Sequence, residues 1–393
     1  MHAGGTKGIT WGHVPPFEDD CMPRTAFLAG CLLAACLASA DETTVDPSVR
    51  SPGLIDELGL ESAAQASRDH PRWRPPRRIV VRIDTPERVD WLQQAVPGVE
   101  IVGVQTAEEA LSAVPSADVV IGFCSPEIVA AGDELRWIQV LWAGVESCVA
   151  IEGLAERNVI LTNMQRVAGP VMAEHVFAML LGLTRGLDAY LEAQRSGEWQ
   201  RDAVDRDRMR SLRGKTMLVV GLGGIGGEVA RLGDAFGMEI IATRASGRHG
   251  PDYVSYVGLP GELAALASRA DVVVNTAPLT PETTGMFDRE FFARVKPGAY
   301  FINVGRGRSV ETDALVDALA SGRLSGAGLD VTDPEPLPAG HALWSAPNVI
   351  ITPHVSAAID TGSEDRWRVV RENLARYAAG EPLLSVVDIE RGY

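Results

Sequence analysis

Apolar positions recur in short runs separated by polar or glycine-bearing breaks. "IVVRI" (79–83), "VEIVGV" (99–104), "ADVVIGF" (117–123) and "RWIQVLWAG" (136–144) read as strands. Thr106 and Glu109, three apart after the second run, form a capping-box signature for a helix between strands. The stretch 168–187 is longer and mostly apolar, and predicts a long helix. After a charged break the same rhythm restarts with the apolar run 217–220. It continues through "IIATRAS" (240–246), "ADVVVNTAP" (270–278), "AYFINVG" (299–305), "GAGLDV" (326–331) and "NVIITPH" (348–354). Residues 364–380 close the chain with an amphipathic helix. Strands alternating with helices at this spacing imply parallel sheets covered by helices. The chain is expected to form two α/β domains, the second inserted into the first.

The first 76 residues break this pattern. A short basic start, an apolar run from Ala26 to Ala38, and Ala38-Ser39-Ala40 before acid have the layout of a secretory signal. "LAGC" (28–31) and "LAAC" (33–36) also resemble a lipoprotein box. The run is too short to span a membrane as a folded helix. If it functions from Met22 the protein is exported; otherwise its place is the cytoplasm. Residues 41–76 are polar and proline-bearing, and read as a flexible linker with one short helix near Leu54–Leu60.

Charge and composition mainly exclude. The chain has 393 residues, 46% of them hydrophobic, and a net charge of −16. No basic cluster exists of the kind nucleic acid needs. Only Lys7, Lys215 and Lys296 are lysines, which leaves few candidates for lysine catalysis. Five cysteines make no disulfide framework, and no CxxC or HxxxH spacing suggests a metal.

The chemistry begins at Gly221-Leu222-Gly223-Gly224-Ile225-Gly226. A GxGxxG is weak evidence alone, but an apolar strand precedes this one and a helix and second strand follow. The first glycine permits a tight turn, the second lets backbone approach a pyrophosphate, and the third lets helix and strand pack closely. The motif therefore implies a dinucleotide cofactor. NAD-binding sites place an acid at the end of the second strand, against the ribose 2′-hydroxyl. Here Arg244 stands there, with Arg248 four residues on. A guanidinium cannot accept from a hydroxyl but can pair with a 2′-phosphate. NADP(H) is the expected cofactor, with NAD(H) possible.

Three further motifs end strands, where open α/β sheets place ligands. "INVGRG" carries Arg306 between glycines, "DVTDPEPLP" carries Glu335, and "ITPHVS" carries His354. A planar fork can bind the carboxylate and ketone of a 2-oxo acid. An imidazole can protonate the ketone oxygen as hydride arrives at carbon. A carboxylate beside the imidazole stabilises its charged form and fixes its ring.

"GLGGIG", "NVGRG", "DPEPLP" and "TPHVS", in this order and spacing, resemble the D-isomer-specific 2-hydroxyacid dehydrogenase family over residues 79–385. The resemblance implies two Rossmann-like domains: a substrate domain over 77–185 and 355–393, and a dinucleotide-binding domain over 186–354. It implies catalytic roles for His354, Glu335 and Arg306, and substrate binding by the backbone of Ala143-Gly144-Val145. Cofactor contacts are implied at Gly221, Gly223, Gly224, Ile225, Gly226, Ala277 and Pro278, with Asp330 holding the nicotinamide amide. It further implies a homodimer. "WIQVLWAGV" most resembles the glyoxylate/hydroxypyruvate reductases, which points to a small 2-oxo acid reduced to its D-2-hydroxy acid. A dinucleotide-sensing corepressor and a formate- or phosphite-type dehydrogenase are the alternatives on this scaffold. His175 reads as structural or interfacial; Trp142 and Trp344 divide between pocket and packing. Cys148 falls near the pocket with nothing to make it a nucleophile.

Overall fold

A computed structural model describes residues 50–392, apart from 52, 84 and 359–361. The signal-like stretch 22–40 lies outside the described residues. Strands β1 (Arg78–Arg82), β2 (Glu100–Val104), β3 (Val119–Ile121), β4 (Trp137–Gln139) and β5 (Ile160–Thr162) form one sheet. Its order is β2-β1-β3-β4-β5 and every pairing is parallel. The second sheet contains β6 (Thr216–Val220), β7 (Glu239–Thr243), β8 (Tyr256–Gly258), β9 (Val272–Asn275), β10 (Ala299–Asn303), β11 (Leu324–Leu329) and β12 (Val349–Ile351). It is also parallel throughout, in the order β12-β11-β10-β9-β6-β7-β8. The strand order reverses between β6 and β9, and the crevice at their carboxyl ends is where such sheets bind ligands.

Both sheets are covered on both faces, as parallel sheets require. One face of the second sheet packs against Phe287, Phe291, Leu315 and Leu319. Its other face takes the long helix Gly169–Arg185, through Met172, Val176, Phe177, Leu180 and Leu183. The helix lies against β10, β11 and β12 and against the helix Gly224–Ala235. The closing helix Gly362–Ala379 returns to the first sheet, where Tyr377 stacks on Trp137 with ring centroids 5.0 Å apart. The capping box at Thr106 and Glu109 forms as expected, each side chain meeting the other's backbone N–H.

The linker expected up to residue 76 does not hold over its described part. A helix does form, at Leu54–Leu58, but the segment is packed rather than free. Leu54 and Leu60 are buried in the core of the first sheet with Trp367, Val370 and Leu374. The Trp73 indole donates to the Tyr377 carbonyl at 3.0 Å, and Arg68 donates to the carbonyls of Ala379 and Gly380 at the end of the closing helix. Widely spaced apolar residues among polar ones hid this docking. Strands β5 and β8, three residues each, were also not anticipated. A disulfide joins Cys124 to Cys148, with Cα atoms 5.8 Å apart. Among the described residues, no helix is long and apolar enough to cross a membrane, and no acidic, histidine or cysteine cluster is placed to hold a metal.

Candidate active site

The glycine-rich turn leaves β6 and starts the helix Gly224–Ala235. Each glycine has a separate reason. Gly221 sits at φ +93°, and a Cβ there would lie 2.8 Å from the Ala277 backbone. Its N–H and that of Leu222 both donate to the Thr243 carbonyl, tying the turn to the end of β7. A Cβ on Gly226 would meet the Gly221 carbonyl oxygen at 2.1 Å, so only glycine lets the helix approach the strand. Gly223 has open space where a Cβ would point. This is the room a pyrophosphate needs beside helix N–H groups, so the turn fits a dinucleotide. Gly224 is different: a Cβ there would meet Arg166 and Gln165 from the crossover after β5. Ala277 and Pro278 follow β9, on the same edge of the crevice.

At the end of β7 the two arginines differ. Arg244 donates to Ser246 Oγ at 2.8 Å and to the His249 carbonyl at 3.1 Å, and makes no ion pair among the described residues. Arg248 is committed: it pairs with Glu262 at 2.7 Å and donates to the Tyr256 hydroxyl at 3.0 Å. Hydrogen bonds from Tyr256 and Arg248 lower the Glu262 carboxyl to about 2, so Arg248 faces an ionised partner at neutral pH. Of the two, Arg244 has charge to offer a ligand.

The structure brings His354 and Glu335 together. His354 Nδ1 lies 2.6 Å from Glu335 Oε1, and both side chains are partly open to solvent. His354 has φ +55°, a conformation few non-glycine residues adopt. Its turn is anchored by its own N–H, which donates to the Asp330 carbonyl at 2.8 Å. Glu335 is delivered by the loop after β11. A Cβ on Gly307 would fall 1.9 Å from the Thr332 carbonyl oxygen, so glycine at 307 lets the Glu335 loop close on the Arg306 loop. Trp344 braces that loop by donating to the Pro338 carbonyl at 2.9 Å. Trp142, beside the substrate-type loop, is exposed.

Asp330 has a structural task. Placed at the nicotinamide amide by resemblance, its carboxylate is fully buried and engaged by its own chain. It accepts from Thr352 Oγ1 at 2.6 Å and from the N–H groups of Val355 at 2.9 Å and Ser356 at 3.0 Å. Burial pushes this carboxyl up, but bonds from Ser356, Thr352 and Val355 together outweigh it and hold it below the ordinary range. Asp330 is thus the post on which the His354 turn is wound. His175 joins the same cluster, 2.9 Å from Thr352 Oγ1, and links the long helix to that turn.

Several contributors were not foreseen. Asn275 and Asn303, which end β9 and β10, and Ser309, in the helical turn after β10, are buried. Asn275 donates to Asn303 and Ser309 at 2.9 Å each, and Asn303 and Ser309 both donate to the Arg306 carbonyl. Asn163 donates to the Ala143 carbonyl at 2.7 Å and fixes the loop Ala143-Gly144-Val145. Glu146 pairs with Arg306, its Oε1 3.0 Å from Nε. Their signal in the sequence was a polar residue ending an apolar run, which marks a position without naming its partner.

This geometry has counterparts. A model described as "D-isomer specific 2-hydroxyacid dehydrogenase, NAD binding domain" matches residues 177–356. The crystal structure of a D-isomer specific 2-hydroxyacid dehydrogenase family protein from Aeromonas salmonicida is 32% identical, with a TM-score of 0.69. The match covers 80% of this chain and 99% of that one. The chain belongs to the D-isomer-specific 2-hydroxyacid dehydrogenase family. An NADPH-dependent glyoxylate/hydroxypyruvate reductase from Sinorhizobium meliloti, solved with NADP and sulfate, is 28% identical with a TM-score of 0.68, covering 80% of this chain and 99% of that one. The D-3-phosphoglycerate dehydrogenase of Methanocaldococcus jannaschii is 30% identical over 305 residues, 75% of this chain and 56% of that protein. The 2-hydroxyacid dehydrogenase described here is therefore an oxidoreductase that uses a nicotinamide dinucleotide on a small-molecule substrate.

Proposed function

We propose that this dehydrogenase reduces a small 2-oxo acid, of the glyoxylate or hydroxypyruvate kind, to its D-2-hydroxy acid. The observation that carries this is the His354–Glu335 pair at 2.6 Å, at the carboxyl ends of the strands that also present Arg306. The bound dinucleotide supplies the hydride. Arg306 and the backbone of Ala143-Gly144-Val145 hold the substrate carboxylate, and Arg306 polarises the ketone. With Nδ1 directed at Glu335, His354 is left with Nε2 to donate its proton to the ketone oxygen. Glu335 balances the imidazolium charge before that transfer and holds the ring. Asp330, Thr352 and His175 keep the histidine turn in place. In this arrangement the first sheet provides the substrate loop and the second provides the dinucleotide side and the acid.

NADP(H) is the preferred cofactor in this reading, because Arg244 is uncompensated where an acid would otherwise meet the 2′-hydroxyl; NAD(H) binds more weakly. A homodimer is supported by exposed Leu187 and Leu191, one helical turn apart, and by Trp199, which is 93% exposed. Light scattering should give twice the chain mass, and a monomeric mass at micromolar protein would discard the dimer.

The activity is tested with NADPH and glyoxylate, comparing wild type with His354→Gln. General acid catalysis contributes about 10²–10⁴-fold, and the variant should lose turnover on that scale while still quenching tryptophan fluorescence on binding NADPH. Near-normal kcat in the variant would remove His354 from the mechanism.

A further inference from the structure

Glu146 follows the loop Ala143-Gly144-Val145 and begins the short helix Glu146–Val149. Its carboxylate grips one edge of the Arg306 guanidinium: Oε1 is 3.0 Å from Nε and Oε2 is 3.2 Å from Nη2. The remaining terminal nitrogen, Nη1, donates to the Gly305 carbonyl at 2.7 Å. A guanidinium has five N–H groups. Three are taken, which leaves one on Nη1 and one on Nη2. The plane itself rests on the substrate loop, since a Cβ added to Gly144 would fall 1.5 Å from Nη2.

We propose that Glu146 positions Arg306 and restricts the site to monoanionic 2-oxo acids. This rests on the substrate reading above. Two consequences follow from the geometry. The side-on grip fixes the rotation of the guanidinium, so the two free N–H groups are presented together to one carboxylate and its adjoining ketone. The grip also neutralises the arginine within the pocket. Glu146 and Arg306 are each 28% exposed, so their charges are only partly screened. A substrate with one carboxylate meets a matched pair of donors. A small substrate with a second carboxylate or a phosphate would bring a further negative charge toward Glu146, whose own cation, Arg306, is already paired with it. Exclusion by like charge discriminates through repulsion, which contacts to the favoured substrate alone cannot supply.

The test compares kcat/KM for glyoxylate with that for oxaloacetate, at one pH where both are fully ionised, in wild type, Glu146→Gln and Glu146→Asp. In Glu146→Gln the oxaloacetate-to-glyoxylate ratio should rise about tenfold, chiefly through a lower KM for oxaloacetate. In Glu146→Asp the charge remains, so the ratio should stay within about twofold of wild type, while kcat falls because the shorter arm cannot reach both nitrogens. Glu146→Asn, a second neutral replacement, should shift the ratio in the same direction as Gln and serves if Gln does not fold. An unchanged ratio in the neutral variants overturns the proposal. If wild type turns over neither acid, the substrate reading fails instead, and the two failures are thereby told apart.

Discussion

Replacing Asp330 with asparagine isolates what holds the catalytic turn. The wild-type carboxylate accepts hydrogen bonds from Thr352 Oγ1, Val355 N, Ser356 N and the Ser356 side chain, in a site with no side-chain exposure. Asparagine keeps the shape but offers a single acceptor oxygen. If that oxygen serves Thr352 and Val355, the new amide N–H₂ confronts the Ser356 N–H, and one bond is lost. Bonds to a charged group are worth about 1.5–3 kcal/mol and neutral ones about 0.5–1.5. Losing one and weakening two costs about 4 kcal/mol on those figures. A neutral amide is cheaper to bury than a carboxylate, which offsets part of this and leaves about 2–3 kcal/mol. Urea unfolding at pH 7, followed by tryptophan fluorescence, measures that difference. The pH dependence supplies the sign. The native Asp330 carboxyl is held below its ordinary range, so its contribution is complete above the unfolded value, about 3.9, and is lost as pH falls through the folded value. The gap between wild type and variant should be level from about pH 5 to 8 and close in stronger acid. The His354 N–H donates to the Asp330 backbone carbonyl, so the loosened turn should also lower kcat at least tenfold. A gap under about 1 kcal/mol at pH 7, or one that widens in acid, would refute this account.

Arg244→Asp should exchange the cofactor preference: the NADPH-to-NADH ratio of kcat/KM should fall by at least tenfold, since a 2′-phosphate loses its cation and a 2′-hydroxyl gains an acceptor. Equal ratios would show Arg244 to be a solvated loop residue. Gly226→Ala should weaken NADPH binding, measured by fluorescence titration, at least tenfold and lower stability, because the new methyl would sit 2.1 Å from a backbone oxygen that cannot rotate away. Unchanged binding would mean that the helix can shift without disturbing the turn.

The motifs that sequence made legible are those whose demands are local. A strand, a glycine with positive φ and a helix start lie within a dozen residues, so their physical reasons are written in adjacent positions. "GLGGIG" is the clearest case, and the capping box at Thr106 and Glu109 is another. Arg306, Glu335 and His354 were legible because each follows an apolar strand, in a loop among glycines or prolines. The docked segment at Leu54 and Leu60 escaped because two isolated leucines carry no period.

The sequence by itself determined the fold class and the dinucleotide turn, and marked Arg306, Glu335 and His354 as the groups to look for at the strand ends. Tertiary structure decided how those groups are supported and restrained. It made Asp330 the post for the histidine turn, committed Arg248 to Glu262 while leaving Arg244 uncompensated, and set Glu146 on the edge of Arg306 across 160 residues of chain. The division has a physical basis. Backbone conformation and strand-end position are encoded over a few residues, whereas a carboxylate's role depends on which donors the fold brings within 3 Å of it, and those come from distant strands.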